Sequence, residues 1–487
     1  MTRLPYVRAV ALLVVALVAL GGCARYTARP LVPDAVRASL AVPSPDSLAV
    51  RAARLQHPVL APVALDLSDG LTPDEAAAVA VLINPALRAR RATRGVVAAQ
   101  LFAEGLLPPP SVAASADFPV NGDSTTQVAV GLGLSLDLNA LITRGARLAS
   151  AEAIRDSTDL GIAYAEWQVA QQARLSAYRL VFLGRQQALL AVEVAALEES
   201  LDLLNEAERR RLITEVDRAA AEAAFRDARL TALDVDQQAA AEHFALLSAL
   251  GFPADTTVTV QPVALPDPEV PPFAVLAGGL DSLRLDLRAL RLGYASGEAT
   301  LRAAVLGQFP ALNVGLNVAR NDAGLVTVGP AVSAGLPFLG LGKRLLFDRN
   351  QGGIAVATAT RELLFAEYAA RRRDAEVQLA RTASSLDFAR RRVEAARLAY
   401  ETRRHLVEIY GQALLFGQAD VVTYYTARVD ALALALQLLQ AEQAVAETAI
   451  ALELAAGHPL APPPGPPPAE PLLDPLPAPF RVSDHTP

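Results

Sequence analysis

At 487 residues, with 52% hydrophobic and 20% charged side chains, the chain is long enough to bury a large core, and its net charge of −7 argues against a nucleic-acid partner. Its one cysteine, Cys23, excludes an intramolecular disulfide, so the fold must rest on packing.

The N-terminal stretch MTRLPYVRAVALLVVALVALGGC sets Arg3 and Arg8 before an uncharged apolar run from Ala9 to Leu20. That run is too short to cross a bilayer and is followed by small residues, the layout of a cleaved signal. Leu20-Gly21-Gly22-Cys23 resembles the bacterial lipobox, which implies cleavage after residue 22, a lipoprotein signal peptide over 1–22, and acylation of Cys23. Loss of the signal removes Arg3 and Arg8 and takes the net charge from −7 to −9. Residues 23–68 carry scattered prolines and read as a linker from the lipid anchor to the body.

The body is written twice. LRARRATRGVVAAQ from Leu87 and LRALRLGYASGEAT from Leu287 stand 200 positions apart, and Pro110 maps onto Pro310 at the same shift. The repeats span 69–257 and 274–460, with a linker over 258–273 and a Pro-rich tail over 461–487. In each, a helical run meets a proline and then two alternating segments joined by a turn-like stretch. The strands are expected at about 111–121 and 126–138, and at about 311–320 and 325–338. Val128, Val130, Leu132, Leu134 and Leu136 form one apolar face of the second strand, interleaved with Ala129, Gly131, Gly133 and Ser135. Proline-free, coiled-coil-like runs follow, about 142–211 and 344–415, each roughly 100 Å of helix. Shorter helices return over 214–250 and 420–456.

Four strands cannot close a barrel, and an open edge in lipid would leave backbone groups unpaired. The strands are therefore a soluble sheet covered by helices, or a share of a barrel built from several chains. The face of Gly, Ser, Ala and Asp is poor core material and suits a wet lumen, which favours the shared barrel. Three chains would supply twelve strands, with Val128 to Leu136 facing lipid.

The doubled order of helix, hairpin, long helix and return helix resembles the TolC-type outer-membrane efflux protein family. So do Leu71-Thr72, Glu75-Ala76 and Asn84-Pro85-Ala86-Leu87, the helix-to-strand passage EGLLPPPSV from Glu104, and the turns RLITEVDRAAAE from Arg211 and GQADVVTYYTAR from Gly417. The resemblance covers about 71–457 and implies a mostly α fold with a membrane β-barrel: a homotrimer whose twelve-strand β-barrel continues into an α-helical barrel. It also implies an outer-membrane exit duct that extends into the periplasm and is served by a periplasmic adaptor protein and an inner-membrane transporter. Ala24, beside the lipobox cysteine, agrees with outer-membrane placement. The family's closed periplasmic end places a candidate gate at Arg210, Arg211, Glu215, Asp217, Asp420, Tyr424 and Tyr425. Arg211 stands where the family has glycine.

No catalytic constellation is legible, and no cofactor is implied. The five histidines lack metal-ligand spacing, the glycines and lysine of GLPFLGLGK from Gly335 to Lys343 lack phosphate-loop spacing, and the Arg371–Arg373 and Arg390–Arg392 runs read as solvated helix faces. The other class of reading is a lipid-anchored periplasmic coiled-coil scaffold without a pore; it needs no lipid-facing strands.

Overall fold

The computed structural model describes residues 26–118, 120, 126–264, 266, 268–309, 312–334, 349–460 and 476. The signal peptide, Cys23, residues 335–348 and nearly all of the Pro-rich tail lie outside these residues. The chain divides into two units, one ending at Pro43 and one beginning at Ser44. The described part of the first holds a single short helix, α1 (Pro33–Ser39), which buries nothing.

The second unit begins with α2 (Pro45–Ala53), where Leu48 and Ala52 are buried. The linker expected over 23–68 is thus packed from Ser44 onward. Leu48, Leu65 and Leu67 join the core around Leu71, Val79 and Leu246, because these leucines recur where the chain meets the body. Helix α3 (Pro73–Ile83) starts on a capping box, with Thr72 Oγ1 accepting from the Glu75 N–H and the Glu75 carboxylate accepting from the Thr72 N–H. It stops at Asn84 because Pro85 disfavours helical backbone in the residue before it. The Asn84 carbonyl oxygen Oδ1 then caps α4 (Pro85–Gly105), accepting from the N–H groups of Ala86 and Leu87.

After the prolines that follow α4 come β1 (Ser111–Asp117), β2 (Ala129–Asp137) and α5 (Leu138–Arg209). The second strand is shorter than expected. Val128 precedes it, and Asp137 ends it by capping α5 through the Asn139 and Ala140 N–H groups. Helix α5 has 72 residues, about 108 Å. It contains the one stretch among the described residues that is long and apolar enough to cross a membrane. The helix is more than three times the hydrocarbon thickness, and Trp167, Ala170, Tyr178 and Phe182 on it are buried against other helices. Helix α6 (Glu215–Leu250) returns along α5.

The element order then recurs: α7 (Phe273–Leu283), α8 (Leu285–Leu306), β3 (Leu312–Arg320), β4 (Val326–Ala334), α9 (Gln351–Leu415) and α10 (Val421–Ala456). The strands form one antiparallel sheet in the order β1-β2-β3-β4. The helices beside it keep that order, α4 on α5, α5 on α8, α8 on α9. Farther along, α6 and α10 take the places of α4 and α8, with α6 on α5 and α10 between α5 and α9. Sheet and helical layer therefore both end on two unlike edges, one carrying β1, α4 and α6, the other carrying β4 and α9.

Candidate functional site

Register decides what the sheet presents. Across its four strands Ala114, Leu132, Val318 and Val328 align, as do Val112, Leu134, Leu316 and Pro330; Leu136, Val314 and Val332 form the row below. The opposite face aligns Ser111, Ser135, Gly315 and Ala331, then Ala113, Gly133, Asn317 and Gly329. Leu132 and Leu134 are 55% and 50% exposed, and Val328 is 65% exposed, while Gly131, Gly133 and Ser135 are half-buried, as is Leu136 beside the start of α5. A sheet in water covers its apolar face; this one uncovers it. From Leu136 to Val130 the band runs about 20 Å along β2. It ends at the row of Val130 and Arg320, where the Arg320 guanidinium bonds Gln127 Oε1. The outer edges of β1 and β4 pair with no strand among the described residues.

The second group of expected site residues lies where α5 turns into α6 and α9 into α10. The two turns share one backbone solution. The Leu212 N–H donates to the Ala207 carbonyl and the Arg211 N–H to that of Glu208; Gln418 to Ala413 and Gly417 to Leu414 repeat the pattern. Such a turn needs a left-handed residue, and Gly417 sits at φ +65°. Arg211 adopts φ +58° without glycine's freedom. Arg209 and Arg210 both bond Glu206, and Arg218 bridges the turn to Glu208 at 2.9 Å.

The structure separates the residues grouped as a gate. Arg210, Arg211 and Glu215 are exposed. Asp217 completes a capping box with Thr214, and Asp420 caps α10, accepting from the Thr423 N–H at 2.6 Å and its hydroxyl at 2.9 Å. Those bonds hold the Asp420 carboxyl below the usual carboxylate range. No ion pair ties either aspartate to an arginine among the described residues. Tyr424 and Tyr425 are 2% exposed and belong to the core. Tyr425 bonds Ser200 on α5, and Tyr424 accepts from Arg428. Burial pushes the Tyr425 phenol up.

Sequence reasoning missed the buried ion pairs that join the repeats. Arg428 on α10 grips Glu193 on α5 through two bonds of 2.6 and 2.8 Å, with side chains 2% and 4% exposed. Nearer the sheet, Arg174 on α5 bonds Glu453 on α10 at 2.6 Å and stands 2.9 Å from the Asp74 carboxylate on α3 as an ion pair. Burial, against the pull of Arg174, raises the adjacent Tyr178 phenol to about 12. A signal was available: Glu193 in LLAVEVAAL and Glu453 in AIALELAAG are lone charges inside apolar helical runs.

No family model matches the chain, and no curated protein matches it. Solved structures do. A membrane protein from Pseudomonas aeruginosa is 18% identical with a TM-score of 0.67, over 83% of this chain and 99% of that one. The outer-membrane channel OprN is 18% identical with a TM-score of 0.66, over 82% and 94%. The outer membrane protein VceC from Vibrio cholerae is 17% identical with a TM-score of 0.64, over 80% and 96%. At such identities the likeness speaks for architecture, and this chain has the fold of the TolC-type outer-membrane efflux channels.

Proposed function

We propose that the chain is one third of an outer-membrane efflux channel, the exit duct of a tripartite efflux or secretion system. In this reading three copies contribute four strands each to a twelve-strand barrel. The helices continue it as a helical barrel toward a periplasmic adaptor and an inner-membrane pump. Cys23 carries the lipid, and the turns at 209–217 and 417–423 narrow the far end. The observation that carries the reading is the inverted sheet: leucines and valines outward, glycine and serine on the sheltered face, both edges unpaired among the described residues.

The two unlike edges support the homotrimer. The helices at both edges carry exposed apolar side chains, Phe102, Leu230, Leu233 and Phe244 on α4 and α6, and Leu363, Phe388 and Leu398 on α9. Edges that differ call for a head-to-tail contact, which closes as a ring.

Native mass measurement of the detergent-purified protein, together with conductance in planar bilayers, tests this. Three copies and discrete channels are expected; a single copy that inserts no channel ends the reading.

A further inference from the structure

The chain between α2 and α3 lies half-buried across the body: Leu55 and Leu60 pack against Ala77, Val81 and Ala170, the Val63 N–H donates to the Ala52 carbonyl at 3.3 Å, and the His57 side chain ties the segment to α5. The His57 imidazole is 1% exposed. Its Nδ1 accepts two backbone hydrogen bonds, from the Val59 N–H at 3.1 Å and the Leu60 N–H at 3.0 Å. Its Nε2 lies 2.9 Å from the Ala163 carbonyl of α5. That set has one solution: a neutral ring, protonated on Nε2, which donates to Ala163 while Nδ1 receives both amides.

We propose that residues 55–65 form a strap over α3 and α5, latched by the neutral imidazole of His57 and released when that ring is protonated. A second proton would have to go on Nδ1, where it would face two N–H groups that cannot accept it. The charged groups facing the ring are Glu166 of α5, 3.7 Å from Nε2, and Arg91 of α4. Glu166 would welcome an imidazolium, but it is already bonded to Arg91 at 2.6 Å. Desolvation sets the balance, over the opposing bond to Ala163 and the charge of Glu166, and holds the ring below its ordinary 6.5. The sign follows: a depressed value means that the latch is full above 6.5 and is lost as pH falls from there through the closed-state value.

Both ends of the strap are fixed by groups other than His57. Arg51 bonds the Leu82 carbonyl at 3.1 Å, and the Asp66 N–H donates to Glu75 at 2.9 Å. Release therefore frees the stretch around Val59 and Leu60 and leaves the ends and the Val63–Ala52 backbone bond in place. Beneath it lies a cavity of about 500 Å³ lined by Leu55, Leu60 and Val63 of the strap and by Ala78, Trp167 and Arg174 of the body. Trp167 is the chain's only tryptophan, is 1% exposed, and has an indole N–H with no hydrogen-bond partner among the described residues. Opening the strap wets it.

The full-length protein in detergent, titrated from about pH 8 to about pH 5, tests the proposal. Trp167 emission should shift to the red. Hydrogen exchange at the Val59 and Leu60 amides, corrected for its intrinsic pH dependence, should accelerate about tenfold per pH unit below 6.5, with the α5 amides around Ala163 unchanged. His57→Asn keeps an acceptor at the Nδ1 position and does not titrate. It should protect both amides equally across the range, or, if it no longer holds the strap, leave them exposed throughout; both results assign the acid response to the imidazole. Wild-type protection and emission that ignore pH, or an acid response of equal size in His57→Asn, would overturn the proposal.

Discussion

Asn84 and Arg284 occupy equivalent places 200 residues apart, and each ties the break before the strand-bound helix to the last turn of the return helix. Asn84 Nδ2 donates to the Ala249 carbonyl at 2.8 Å, and Arg284 Nη1 donates to that of Ala455 at 3.0 Å. The return helices end in Gly251 and Gly457, at φ +82° and +86°. A Cβ on Gly457 would sit 2.9 Å from Arg284 Cα, and one on Gly251 2.6 Å from Pro85 Cδ. Asn84→Ala should cost about 1 kcal/mol through its lost cap alone. Gly457→Ala should cost more, since it adds backbone strain to a collision. Thermal unfolding of the two variants gives the order.

The arginine version of this clasp buries a charge that the asparagine version avoids, and Asp286 answers it. Burial tends to raise the Asp286 carboxyl, but the hydrogen bonds and charges of Arg284 and then Arg371 outweigh burial and hold it below its ordinary 3.8. A depressed carboxylate stabilises the fold fully above 3.8 and loses that contribution as pH falls through its folded value. The melting-temperature gap between wild type and Asp286→Asn should therefore be constant from neutral pH down to about pH 5 and narrow below 3.8. A gap that widens in acid would contradict this assignment.

Glu193 and Arg428 should behave as a unit. Removing one partner leaves the other charged and buried, so Glu193→Ala alone should cost roughly 3–5 kcal/mol. Glu193→Leu combined with Arg428→Met should recover most of that loss. Denaturant unfolding of the single and double variants measures the coupling, and simple additivity would mean that the pair does not act together.

Arg211 is a residue with a Cβ in a glycine conformation. Arg211→Gly should stabilise its turn by about 1 kcal/mol, and Gly417→Arg should destabilise the other by a similar amount. Hydrogen exchange at Leu212 and Gln418, whose amides close the two turns, reports each change locally.

Much of this was legible before any coordinates. Alternation placed the strands because one face of a sheet repeats every second residue, and proline, asparagine and glycine marked the helix ends because each restricts or frees the backbone locally. The local bonding of the candidate gate residues was less legible. In the sequence Asp217 and Asp420 are acidic residues at the two turns, and in the fold each caps its own helix. Thr214-x-x-Asp217 was already a capping signature. Tyr424 and Tyr425 fell in the core because two tyrosines followed by Arg428 lie on the face that meets Glu193 and Ser200. That face is set by packing between repeats, which periodicity in one helix does not reveal. The fold of the 44–68 segment was hidden for the same reason: its few leucines are buried by distant partners.

The two faces of β2 should answer a charge in opposite ways. Leu134→Arg places a cation on the exposed apolar face, at roughly 2–4 kcal/mol if that face meets the middle of a bilayer. Ser135→Arg, one residue on, places it on the sheltered polar face. Gel migration with and without heating should show failed assembly for the first and an intact heat-dissociable oligomer for the second; equal tolerance would mean that the apolar face meets no lipid.

The unpaired margins of β1 and β4 have a consequence for biogenesis on the proposed reading. A solitary copy entering hydrocarbon would carry two rows of bare N–H and C=O groups with it, each costing several kcal/mol. It could not wait there for its neighbours. Association must come first or together with insertion, so the chain meets its own copies while still in water, with its leucine face exposed, and what shelters that face in transit governs the yield of channels.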